Sequence, residues 1–221
     1  MQRFLDIIFS LVALVILSPL LIPITIILSL TGEGEVFYVQ RRVGLGGKPF
    51  GVYKFATMVK NSSSMGTGYL TTKNDPRVLP FGRVLRKTKL NEIPQILNVL
   101  KGDMSCVGPR PQVQKHFDYY PVYVRTELNK VRPGLTGIGS IFFRDEEGIL
   151  EKNGQMSYEE CYSKIIAPYK GDLEIWYIKN NSLYLYFLLI MLTIWVVVFP
   201  NSKTHLKILR NLPTPPGELA L

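Results

Sequence analysis

The chain has 221 residues, 47% of them hydrophobic and 19% charged, which excludes a disordered polymer. Two cysteines, Cys106 and Cys161, and two histidines exclude a disulfide scaffold and a zinc finger; both thiols read as reduced, small buried hydrophobes. Lys and Arg number 26 against 17 Asp and Glu, a net charge of +9 that calls for an anionic partner: nucleic acid, phospholipid head groups or a phosphorylated substrate.

No charge occurs between Asp6 and Glu33, and Ile7 to Leu30 is almost unbroken hydrocarbon. Such a run is too long and too apolar for the surface helix of a soluble domain, and it suits a bilayer. It does not read as a cleaved signal peptide, because no small-residue cleavage site follows it. Ser18-Pro19 lies in its middle and Pro23 one turn later. Proline removes a backbone donor, and in lipid the freed carbonyl needs another partner, such as a serine hydroxyl. The segment is therefore expected to kink there. A mild kink leaves a spanning helix. A sharp one makes a re-entrant helix-break-helix, each arm ~11 residues and ~16 Å long. Arg41, Arg42 and Lys48 follow the segment and place the downstream domain in the cytoplasm by the positive-inside rule.

Residues 33–180 hold nearly all the charge and read as a soluble basic domain. Val36–Gln40 and Phe50–Phe55 read as strands, and Gly44 to Pro49 between them as a turn, together a hairpin. Asn61 to Tyr69 is a flexible polar loop, a substrate lid or an exposed linker. A helix is expected to start near Pro80 to Arg83, and a second after Leu90, with Glu92 in its first turn and its end at Gly102. Val107-Gly108-Pro109-Arg110-Pro111 is a rigid loop that fixes the direction of one arginine. Helical pattern returns from Gln114 to Lys130, is interrupted at Pro121 and ends at Pro133-Gly134. A second apolar stretch, Leu183 to Phe199, is at the lower edge of spanning length and carries the belt-type residues Tyr184, Tyr186 and Trp195. It spans, lies in the interface, or packs beside the first segment. Lys203, Lys207 and Arg210 follow it and suit anionic head groups. Pro213 to Leu221 reads as disordered.

Between Lys73 and Lys89 lie Arg77, Arg83, Arg86 and Lys87, against one acid, Asp75. Arg83, Arg86 and Lys87 share one helix face and lead to Asn91-Glu92 at the next helix N-terminus, where anions are favoured. Arginine forks fit phosphate oxygens; the alternatives are a solvated basic face or one resting on head groups. A carboxylate among these cations is held ionised, so Glu92 reads as a countercharge, a metal ligand, or a nucleophile or base. Asp103 is a second candidate metal ligand, or a turn cap after Gly102; Mg²⁺ commonly takes one or two carboxylates plus substrate phosphates. Arg144 lies in the charged stretch Ile141 to Gly148, which is expected to approach a nucleotide or sugar, or to be a plain solvated loop. Nucleic acid is disfavoured: apart from Phe81, the basic stretch has no aromatic side chain for stacking.

These residues make up long ordered motifs: Asp75-Pro76-Arg77-Val78; Gly82-Arg83-x-Leu85-Arg86-Lys87-Thr88; Glu92-x-Pro94-Gln95-x-x-Asn98-Val99-Leu100-Lys101-Gly102-Asp103-Met104-Ser105; and Val107-Gly108-Pro109-Arg110-Pro111. With Phe37-x-x-Gln40-x-Arg42, Lys54-Phe55-x-Thr57-Met58 and Arg132-Pro133-Gly134-Leu135-Thr136-Gly137, they resemble the bacterial sugar transferase family, the monotopic phosphoglycosyl transferases of the polyprenyl-phosphate type. The resemblance covers residues 1–200. It implies an α+β, mainly helical fold. A membrane helix re-entrant at Ser18 and Pro19 occupies 1–32. A cytoplasmic catalytic domain with a β-hairpin occupies 33–180, a membrane-associated or interfacial helix 181–202, and a partly disordered tail 203–221. It also implies transfer of a phospho-sugar from a UDP-sugar to undecaprenyl phosphate with release of UMP, at the cytoplasmic face of the bacterial inner membrane. That is the first membrane step of capsule, O-antigen or exopolysaccharide assembly. Mg²⁺ is the implied cofactor, held by Glu92 and Asp103. Arg77, Arg83, Arg86, Lys87, Arg110 and Arg144 are the implied phosphate or substrate binders. Membrane lipids, downstream glycosyltransferases and a second copy of the chain are the implied partners.

Two departures stand out. The family opens its catalytic helix with Asp-Glu, the Asp being the implied nucleophile, whereas this chain has Asn91-Glu92; and Ala56 stands where the family has Arg. A carboxamide is a very poor nucleophile. Either Glu92 takes over as nucleophile, or the lipid phosphate attacks the donor directly while Glu92 holds the metal, or the chain is inactive. In the last case it is a membrane scaffold or lipid-phosphate binder.

Overall fold

The computed structural model describes residues 1–65, 75–144, 146, 148–149, 157–199, 202, 204–217 and 219, with the backbone alone at Ser63 and Tyr158. The expected lid loop from residue 66 on, together with Lys73, Asp145, Glu147 and Lys203, lies outside the described residues. The chain is mainly helical and separates into two compact units. One comprises residues 4–41 and 51–101; the other comprises residues 1–3, 42–50 and 102–221. The expected catalytic domain, 33–180, is thus divided between them.

The first unit carries helix α1 (Gln2–Leu30) and most of a hairpin, β1 (Phe37–Val43) and β2 (Pro49–Phe55), as expected from the sequence. α1 runs without interruption through Pro19 and Pro23. Pro19 leaves the Val15 carbonyl without its usual N–H donor, and Ser18 Oγ donates to that carbonyl at 2.8 Å. α1 is long and apolar enough to cross a membrane, and its most apolar stretch is only 11% buried, so it is no core helix of a soluble domain. Ile24 and Leu28 near its end pack with Phe55 of β2 and Leu85 of α2 (Pro80–Lys87). Burying each such side chain contributes roughly 1.5–3 kcal/mol. Pro80 opens α2 at a position where its missing donor costs nothing.

The helix expected after Leu90 begins differently. Leu90–Gln95 is a 3₁₀ turn, entered through Lys89 in the left-handed region (φ 61°), and the α-helix α3 spans only Ile96–Lys101. Pro94 has no N–H to give to Leu90, which keeps the first turn from closing as α-helix. The expected anion site at a long helix N-terminus is therefore absent: Asn91 and Glu92 sit on a tight turn.

In the second unit β3 (Ser105–Val107) and β4 (Gly134–Thr136) form a parallel pair, Ser105 opposite Gly134 and Val107 opposite Thr136. Neither strand is legible in the sequence. Between them run α4 (Gln114–Asp118) and α5 (Val122–Leu128), separated at Pro121 as expected. After α6 (Ile138–Phe142), α7 (Tyr158–Cys161) passes through a π turn, Tyr162–Ile166, into α8 (Ala167–Lys179). Ala167 N donates to Tyr162 O, five residues back, beside Pro168. Ser182 caps α9 (Leu183–Val198), its Oγ accepting from Leu185 N. Leu185, Tyr186, Leu189, Leu192 and Val196 are buried along one face of α9, which packs on β3, β4 and α6; Tyr184, Phe187, Met191, Ile194 and Val198 on the other faces are exposed. A short helix α10 (Thr204–Ile208) follows. The tail expected to be loose is anchored in part: Pro213 O accepts from Tyr169 Oη, and Leu219 is buried. Cys161 is buried and Cys106 half-buried, and both are free thiols.

Candidate active site

In the first unit Lys54 of β2 reaches the 3₁₀ turn, its Nζ 3.2 Å from Glu92 Oε1, with both side chains largely buried. The ammonium gives the carboxylate a fixed direction. Lys54 was not among the residues picked from the sequence as a site. A lysine in the otherwise apolar and aromatic strand Phe50–Phe55 was the available signal. Asn91 is buried, and its Oδ1 has no hydrogen-bond partner among the described residues.

α2 packs against this turn. It approaches the hairpin's continuation backbone to backbone: a Cβ on Gly82 would lie 2.3 Å from Thr57 O. Arg83 and Lys87 are exposed on α2 and Arg86 is half-buried, which suits phosphate contact. Arg77 does not belong with them. It is buried, its Nε and Nη2 grip Asp75 at 2.9 and 2.6 Å, and its Nη1 donates to Ser62 O and Met65 O, both at 2.7 Å. The expected phosphate ligand is instead a brace inside its own loop, because the fork geometry that suits phosphate suits the neighbouring carboxylate equally.

In the second unit the site element is the loop that carries Arg110, just past the C-terminal end of β3. Two prolines fix its backbone. Gly108 N donates to Thr136 O at 2.9 Å, Gly134 N to Pro109 O at 2.8 Å, and Tyr177 Oη to Val107 O at 3.2 Å. Arg42 Nη1 donates to Pro111 O at 3.0 Å, and Arg110 N to Glu174 Oε1 at 3.3 Å. Glu174 is 1% exposed, and its carboxylate also accepts from Gly139 N. No sequence signal marks it, because its burial is set by packing between distant segments. Burial pushes its pKa up to about 7, against the opposing pull of the Arg110 and Gly139 amides, Lys170 and Arg110. Lys170, also buried, pairs with Glu146 at 2.7 Å. Burial works to raise Glu146, but Lys170 and Arg110 outweigh it and hold its pKa low.

Glu174 predicts a pH effect. A carboxyl whose pKa is higher folded than unfolded stabilises most below the unfolded value and loses that contribution as pH rises through the folded one. Stability of the detergent-solubilised chain should therefore fall between pH 4.5 and 7, on the order of 3 kcal/mol from this group. Glu174→Gln should flatten that part of a melting-temperature profile. An unchanged profile would assign the titration elsewhere.

Arg144 Nη1 donates to the Val196 carbonyl in the last turn of α9, where a cation complements the helix dipole, so the structure gives it a capping role. Asp103 is half-buried in the bend before β3. Among the described residues no three His, Cys, Asp or Glu side chains gather as a metal cluster.

The bacterial sugar transferase family matches residues 1–200 of the chain. The chain belongs to the bacterial sugar transferase family. It is 34% identical over 198 residues to the UDP-glucose:undecaprenyl-phosphate glucose-1-phosphate transferase of Escherichia coli (strain K12), covering 88% of this chain and 39% of that protein. It is 31% identical over 210 residues to the UDP-N-acetylgalactosamine-undecaprenyl-phosphate N-acetylgalactosaminephosphotransferase of Aeromonas hydrophila, covering 89% of this chain and 43% of that protein. A putative undecaprenyl-phosphate N-acetylgalactosaminyl 1-phosphate transferase of Bacillus subtilis (strain 168) is 40% identical over 135 residues, 61% of this chain and 70% of that protein. The chain thus spans about two-fifths of the length of the first two relatives. These names lend no support to a non-catalytic scaffold. As a bacterial sugar transferase, the chain has Glu92 paired with Lys54 next to Asn91.

Proposed function

We propose that this chain transfers a phospho-sugar from a UDP-sugar to undecaprenyl phosphate, releasing UMP, as the first membrane step of cell-surface glycan assembly. The observation that carries the reading is the Lys54–Glu92 pair on a turn packed against the arginine-bearing α2, in a chain matched by this family over residues 1–200. Arg83, Arg86 and Lys87 of α2 are the phosphate binders of this unit.

Glu92 acts as the nucleophile. Its carboxylate oxygen forms a bond to the sugar-bearing phosphorus of the donor, and the bond from that phosphorus to the UMP oxygen breaks. A phosphate oxygen of the lipid acceptor then attacks the same phosphorus and releases Glu92. Asn91 cannot take this part, because its carboxamide nitrogen and oxygen are feeble nucleophiles beside a carboxylate. Lys54 orients Glu92 and lowers the charge that the incoming diphosphate meets.

The donors available for Mg²⁺ are hard oxygens, the Glu92 carboxylate and the buried, unpartnered Asn91 Oδ1, with phosphate oxygens completing the set. They fit that ion, which when bound neutralises diphosphate charge.

The membrane reading rests on where α1 is covered. Asp6 and Ser10 are buried near its start and Ile24 and Leu28 near its end, while no residue from 11 to 23 is buried. A helix buried near both ends and bare around Ser18-Pro19 suits a re-entrant course by the cytoplasmic face, which then needs a bend inside the continuous helix and not a break in it. α9 suits the interface. One face is already taken by β3, β4 and α6, and the exposed apolar side chains lie on the others.

The test is UMP release by the purified, detergent-solubilised chain. Release should require a UDP-sugar, undecaprenyl phosphate and Mg²⁺ together. No release with any UDP-sugar would sink the proposal.

A further inference from the structure

β2 belongs to a two-stranded sheet, so among the described residues one of its edges has no strand beside it. The N–H and C=O groups on such an edge still need partners. Asn98 of α3 supplies both kinds. Its Nδ2 donates to Gly51 O at 2.7 Å, and its Oδ1 accepts from Tyr53 N at 3.0 Å. The residue is 0% exposed. A carboxamide carries the same donor and acceptor as a peptide unit, so one side chain does for two residues what a third strand would do.

The residue after Tyr53 is Lys54, whose Nζ meets Glu92 Oε1 at 3.2 Å. Glu92 in turn lies on the 3₁₀ turn that continues directly into α3. The contacts close a ring: α3 holds β2 through Asn98, β2 presents Lys54, and Lys54 meets the turn at the head of α3. All of it lies within one unit.

We propose that Asn98 is a positioning residue: its buried carboxamide locks the register of β2 against α3 and so sets Lys54 opposite Glu92. The proposal rests on the reading of Glu92 as the reacting group. It deepens that reading by naming what fixes the geometry. The distinction from a core-filling role is direction. A purely structural asparagine would change stability and leave the Lys54–Glu92 distance alone. This one sits on the backbone immediately before Lys54, so its loss lets the strand slide.

Two measurements on the full chain in detergent decide it. Asn98→Asp keeps the acceptor toward Tyr53 but sets a carboxylate oxygen against Gly51 O; Asn98→Ala removes both bonds. Circular dichroism at the assay temperature identifies the folded variants, and Asn98→Asp, which conserves shape, serves if Asn98→Ala unfolds. The first measurement is the acetylation rate of Lys54 by an amine-reactive ester, read by mass spectrometry with the other lysines as reference. Loss of about one hydrogen bond's stabilisation should raise Lys54 labelling about 5-fold and leave the references unchanged. Equal labelling of Lys54 in the parent and a folded variant overturns the proposal. The second is a double-mutant cycle on turnover. Asn98→Asp should lower kcat about 10-fold with little change in KM in the parent, because misplacement at a reacting centre is costly. It should have no further effect in the Lys54→Met background. Independent, multiplying losses overturn the proposal. A parent chain without turnover would count against the transferase reading, while the labelling result would still judge Asn98.

Discussion

Glu92→Gln abolishes UMP release, with a fall in kcat of at least about 10³-fold and no loss of fold. The amide keeps the shape and a contact for Lys54 but cannot attack phosphorus. The same chemistry predicts where the phospho-sugar goes. When the parent chain is incubated with donor labelled in the sugar and no lipid acceptor, label should appear on the protein and map to Glu92. Glu92→Gln should carry none. UMP release dependent on lipid, with no label on residue 91 or 92 under any condition, would favour direct attack by the lipid phosphate. Normal turnover in Glu92→Gln would remove Glu92 from the chemistry altogether. Asn91→Asp is the complementary variant. A silent parent beside an active Asn91→Asp would mean that the neighbouring glutamate does not suffice and that the parent is a non-catalytic member.

The second large effect is steric. Gly134→Ala should destabilise the chain by more than about 3 kcal/mol, or prevent its folding, as read by thermal melting in detergent. A Cβ at that position would lie 2.1 Å from Gly108 N and 2.4 Å from Thr136 O. Those are backbone atoms of the parallel strand pair and have nowhere to go. Relief would require β3 and β4 to part, and the Arg110 loop is held by that pairing through Gly108 and Pro109. Gly217→Ala, with no atom within 4 Å of the new methyl group, is the control and should be silent. A melting temperature for Gly134→Ala equal to the parent's would mean that the close approach is absent in solution.

Much of this was legible from local pattern. The apolar run from Ile7 to Leu30 declares a membrane-seeking helix because its length and lack of charge need no partner to interpret. The hairpin follows from alternating strands around a glycine turn, and α2 from a proline at its first position. The ordered motifs around Glu92 and Arg110 carry the family. Pro94 was equally visible, and its effect on the first turn of the expected helix was underweighted.

Other features required the folded chain. β3 and β4 are three residues each and pair across more than twenty others, so no periodicity marks them, and the loop they support looked like an isolated rigid turn. Arg77 and Arg83 are the same residue type in the same basic stretch. One is sealed against Asp75 and two carbonyls while the other faces solvent, a difference set by contact with Ser62, Met65 and Asp75 and not by spacing. Glu174 and Lys170 carry no signal in the sequence and are buried. Lys54 and Asn98 stand in their motifs as letters without roles until β2 and α3 meet.

The chain's composition calls for an apolar medium and an anionic partner, and its motif order carries the family, since hydrophobicity and charge act residue by residue. Which cations remain for substrate, which carboxylate faces a lysine and which acid is buried depend on contacts between distant segments. Such contacts have their energies set by burial and by distances of a few ångströms, and these exist only once the chain has packed.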